Sequence, residues 1–128
     1  MDWLSLARSP AARRLVGWLF ANMSIALPVE RLRETDTLLA FHHPRPAYPV
    51  HILLVPKKAL AGLEALGSED GSFLADLFAA VQSLVIEMEL EAAGYRLITN
   101  GGRFQEVPQL HFHLVSGPAH DGPQNEQA

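Results

Sequence analysis

One segment constrains the fold more than any other: the amphipathic run from residue 69 to residue 93. Phe73, Leu74, Leu77, Phe78, Val81, Leu84, Val85 and Met88 recur at helical spacing on one face. Ser68 or Asp70 can cap its start, and Gly94 suits a left-handed stop. A single apolar stripe of this kind needs one layer to pack on, and short strand-like runs flank it on both sides. Val29 to Arg33 and Thr37 to His42 read as a hairpin turning at Glu34-Thr35-Asp36. Val50 to Val55 is a branched, apolar run, hence a buried strand. Residues 59–67 suggest a short helical turn closed by Gly67. Beyond the long helix, Tyr95 to Thr99 reads as a strand, and Gln109 to Val115 alternates as another. The order predicts an α+β fold on an antiparallel sheet.

A chain of 128 residues is one ordinary domain, with 48% hydrophobic and 19% charged residues. Cysteine is absent, which excludes disulfides, a thiol nucleophile and Cys-based zinc sites. A formal charge of −4 gives no footprint for nucleic acid. The apolar run Leu15 to Leu27 is too short for the roughly twenty residues of a transmembrane span. It reads as an N-terminal helix starting at Ser9-Pro10 and stopped by Pro28, ahead of a secretory signal or an interfacial membrane helix. A cytoplasmic location is expected. The domain is read as residues 1–117, followed by a flexible polar tail, residues 118–128, whose His120 gets no role.

The chemistry sits in Gln109-Leu110-His111-Phe112-His113-Leu114-Val115. Alternation puts Leu110, Phe112 and Leu114 in the core and Gln109, His111 and His113 on the other, solvent-side face. Two imidazoles about 7 Å apart along a strand let one attack phosphorus while the other holds a phosphoryl oxygen. Asn100 and Gln105 add amide donors, and Gly101-Gly102 lets backbone N–H groups turn toward an anion. Glu106 and His51 could instead complete a His-x-His metal site. The glycine loop and amides suit an anion better, so no metal is expected. His43-Pro44-Arg45-Pro46-Ala47-Tyr48-Pro49 is a stiff loop.

Two blocks, LPVERLRETDTLLAFHHPRPAYPVHILLVPKK (Leu27 to Lys58) and YRLITNGGRFQEVPQLHFHLVSG (Tyr95 to Gly117), resemble the histidine triad (HIT) superfamily, closest to its nucleotide-binding protein branch. The resemblance implies a five-stranded antiparallel sheet with one long helix and an N-terminal helix. It also implies a nucleotide hydrolase or transferase that cleaves a phosphoramidate or phosphoanhydride of a purine nucleotide without a cofactor. The nucleophile would be His111, with His113 on the phosphate and His51 in support. Asn100 and Gln105 would orient the phosphate, and Phe41 and Leu53 would line the base pocket. A homodimer joined edge to edge is implied, and a nucleotide-binding protein with little turnover is the alternative. Three positions depart from the pattern: Gln109 for the first triad His, His43 for an acidic ribose partner, and Glu106 for a small hydroxyl residue.

Overall fold

The computed structural model describes residues 30–120. The predicted N-terminal helix, and the tail from residue 121 on, lie outside the described residues. Strands β1 (Arg33–Glu34), β2 (Leu38–His42) and β3 (Val50–Pro56) precede helix α1 (Gly71–Glu87). A short helix α2 (Leu90–Ala93) then leads to β4 (Tyr95–Ile98) and β5 (Phe112–Ser116). All neighbours pair antiparallel in one five-stranded sheet of order β1-β2-β3-β5-β4. The last strand therefore inserts between β3 and β4, which places His113 on an interior strand rather than on an edge.

One face of the sheet carries α1. Phe73, Leu77, Ala80, Val81 and Leu84 pack on Leu38, Ala40, Ile52, Leu54, Phe112 and Leu114. Fully burying a Leu such as Leu77 or Leu84 contributes roughly 1.5–3 kcal/mol. Thr35 and Thr37 in the β1–β2 turn both donate to Asp76 Oδ2, at 2.8 and 2.7 Å, and tie the hairpin to the helix.

The structure differs from the sequence reading in five local ways. The first strand of the hairpin is Arg33–Glu34 rather than Val29 to Arg33, because Glu34 pairs with Leu39 in the ladder instead of turning. The run 69–93 is not one helix. Glu89 takes a positive φ of 54° between α1 and α2, and Gly94 (φ 87°) ends α2. Phe78 is 60% exposed, because it lies about 100° around the helix from Leu77, off the packed stripe. Asp70 stands at the start of α1, yet its carboxylate turns back to accept from Gly67 N–H and Lys58 Nζ. Strand β5 starts at Phe112 rather than Gln109, because Gln109 to His111 leave the ladder and Leu110 N–H bonds Leu60 O instead.

Candidate functional site

The second face of the sheet holds the polar cluster, and it is not a solvent face. His51, Gln109, His111 and His113 are all buried, beside a smaller apolar group of Leu39, Phe41, Leu53, Val55 and Val107. The alternation of Gln109–Val115 identified the two faces correctly, but the second one is covered as well.

Register explains which groups meet. Phe41, Leu53, His113 and Ile98 form one row across four strands. His51 lies one pleat along β3, and its Nε2 comes 2.8 Å from His113 Nδ1. Thr99 Oγ1 donates to His111 O at 2.9 Å, clipping the end of β4 to the strand that carries the imidazoles. Asn100 follows Thr99 directly, just beyond the end of β4. The His111 and His113 ring centroids are 4.9 Å apart, edge to face, closer than the backbone spacing along a strand.

Hydrogen-bond partners settle where each proton sits. Ala47 N–H donates to His51 Nδ1 at 3.0 Å, so neutral His51 carries its proton on Nε2. That proton is donated to His113 Nδ1, which leaves His113 with its own proton on Nε2. His111 has the opposite form. Its Nδ1–H donates to Gln109 O at 2.7 Å, so its Nε2 carries a bare lone pair. Neither outer Nε2 has a partner among the described residues. Side by side stand one ring that donates and one that offers electrons.

The rings are held neutral. Burial pushes His113 down to about 2 and His51 to about 3, with the neighbouring imidazoles adding to the effect. Burial also lowers His111, against the opposing pull of the Gln109 carbonyl and the Glu106 carboxylate. His43, half-buried, joins the cluster with its centroid 4.4 Å from His51, and burial takes it to about 4.

Other expected groups lie differently. Gln105 Nε2 donates to Ala61 O (2.7 Å) and Val107 O (2.9 Å), so the structure does not bring its amide to the imidazoles. Gln109 makes three long contacts of 3.4 Å, to Leu60 N, Lys58 O and Leu110 O, and braces the chain after β3. Phe41 and Leu53 are 1% and 0% exposed and form a sealed floor. Glu106 is exposed, within electrostatic reach of His111. Among the described residues no three His, Asp or Glu side chains converge to hold a metal ion. None of them lies in a helix long and apolar enough to cross a membrane.

Spacing along the chain did not reveal the backbone donors Arg45 and Ala47, the edge-on Tyr48 ring 5.6 Å from His51, or Thr99. The one available signal was the density of prolines around them. His120 N–H bonds Ala47 O at 2.6 Å, so the chain after β5 returns to brace the same loop.

Residues 26–120 match the model of the HIT domain. A HIT-like protein of Azospirillum brasilense is 35% identical over 71% of this chain and 77% of its own length. A HIT family hydrolase from Legionella pneumophila superposes with a TM-score of 0.65 at 33% identity, over 72% of this chain and 84% of that one. A histidine triad nucleotide-binding protein from Candida albicans gives 0.63 at 27% identity, over 76% and 73%. The α+β architecture, the register that assembles the imidazoles and these matches agree: the chain belongs to the HIT domain family.

Proposed function

We propose that this protein is a cytoplasmic, homodimeric nucleotide hydrolase or transferase of the nucleotide-binding branch of the family. It would act on a phosphoramidate or phosphoanhydride of a purine nucleoside monophosphate. The observation that carries this reading is the pair of opposite tautomers on adjacent rings. His111 Nε2 attacks phosphorus as the bond to the leaving amine or phosphate breaks, a departing amine taking its proton from solvent. Positive charge developing on the ring strengthens its Nδ1–H bond to the Gln109 carbonyl. His113 Nε2–H donates to a phosphoryl oxygen, and His51 holds that ring in the donating form. Asn100 would supply a second amide donor to the phosphoryl oxygens. Water then cleaves the nucleotidyl-histidine, releasing the monophosphate and a proton to solvent and restoring neutral His111. The Gln109 side chain, standing in place of the first triad His, lies away from this path.

A nucleotide-binding protein with little turnover is favoured by one observation: the Gln105 amide is spent on Ala61 and Val107. Intact-mass spectrometry separates the two. With His113→Asn slowing release, incubation with an adenosine phosphoramidate should add one adenylyl mass, and adding His111→Ala should abolish it. Nucleotide binding with no adduct and no turnover would overturn the mechanism and leave the binding protein.

A further inference from the structure

The cluster holds four imidazoles, and the chemistry above leaves His43 without a task. Its main chain is pinned by His43 N–H to His51 O at 2.8 Å. Arg45 N–H donates to its Nδ1 at 2.9 Å. A filled Nδ1 puts the proton of neutral His43 on Nε2, the same form as His51 and His113. The stiff loop thus supplies two amides, Arg45 and Ala47, that set two rings alike. The His43 ring lies nearly parallel to His113, 19° between planes and 6.2 Å between centroids. Its Nε2 has no partner among the described residues, and the residue is only half-buried.

The resulting wall donates protons and accepts none. The titratable groups that bear on His43 and His113 are other imidazoles, not carboxylates. A sugar hydroxyl set against these two rings brings a proton of its own and finds no acceptor on either of them, which costs affinity. Phosphate oxygens bring negative charge and only lone pairs, and a hydrogen bond to a charged acceptor is roughly twice as strong as a neutral one. We propose that His43 is a specificity-determining residue that selects nucleotides carrying a second phosphate group, by donating Nε2–H to it beside His113. This rests on the nucleotide reading above and names the substrate class of that site. The second phosphate could be an ester on the sugar or an anhydride on the chain. Both offer the same oxygens.

The test compares affinities for AMP, ADP and adenosine 3′,5′-bisphosphate by calorimetry at neutral pH. A second phosphate should tighten binding about tenfold, the size expected for one hydrogen bond to a charged group. Whichever nucleotide shows the gain identifies anhydride or ester. In His43→Asn a side-chain oxygen can still accept from Arg45 N–H, as in an Asx-turn, but the amide N–H that remains stops short of where Nε2–H stood. The affinity ratio should fall to about one. In His43→Asp it should fall below one. A tenfold ratio that survives in His43→Asn overturns the proposal, as does a ratio of one in the wild type. Pyrophosphate, followed on the His43 ring by nitrogen NMR, separates the two readings. A response to pyrophosphate without binding of any nucleotide would sink the nucleotide reading and keep the donor. Nucleotide binding with a silent His43 would do the reverse.

Discussion

Each buried imidazole ties folding to pH. His43, His51 and His113 have folded values of about 4, 3 and 2 against 6.5 when unfolded. The unfolded chain therefore takes up protons first as pH falls. The stability these rings contribute is full above about pH 6.5 and is lost as pH falls from there toward each folded value. Each fully buried ring changes stability by at most about 1.4 kcal/mol per pH unit in that window, and half-buried His43 by less, because solvent screens it. Carboxylates with lowered values, Glu34, Asp70 and Asp76, contribute in the same direction only below about pH 4.5. Between pH 7 and 5 the signal thus belongs to histidine. Urea midpoints should fall over that range, and His113→Asn should flatten the slope. A wild-type midpoint that stays constant from pH 7 to 5 would contradict the assignment. His111 and His113 were legible as a pair because two residues of strand bring them to one face. The His51–His113 bond joins residues 62 apart in the chain, and only the β3–β5 register reveals it.

Between elements, the decisive contact is a glycine against a proline. Gly117 ends β5 with φ 87°, and a Cβ there would come 2.8 Å from Pro49 Cγ. A proline ring cannot swing away as a long side chain would, so the loop from His43 to Pro49 would have to move. That loop carries the amides that set the His43 and His51 tautomers. Gly117→Ala should cost about 1–3 kcal/mol from backbone strain and overpacking. It should also shift the His51 ring nitrogens in NMR and slow turnover. A stable variant with unchanged His51 signals would show that the loop is not braced from this side. Periodicity revealed the strands on both sides and the core stripe of α1, because apolar spacing records which face is buried. It did not reveal the positive-φ joint at Glu89, since no glycine marks it, or the early exit of Gln109–His111 from the ladder, since residues that leave a strand can keep its alternation.

At the scale of the whole molecule, the order β1-β2-β3-β5-β4 leaves β4 at one edge of the sheet, next to the strand that carries His113. Its four residues have no strand partner on the outer side among the described residues, and Tyr95 is 47% exposed there. An unprotected edge is a template for another strand, and a two-fold axis would join two β4 strands into one continuous sheet. The expected assembly is therefore a homodimer, visible as a mass of two chains in sedimentation. Proline offers a test that separates the interface from the fold. In an antiparallel edge strand, consecutive N–H groups point alternately inward and outward. Of Arg96 and Leu97, one N–H bonds β5 and the other faces the outer edge. Arg96→Pro and Leu97→Pro must therefore differ. One loses a ladder bond and melts earlier; the other keeps the ladder and should sediment as a monomer. Two variants that both remain dimers, or a wild-type chain that sediments alone, would remove β4 as the joining edge.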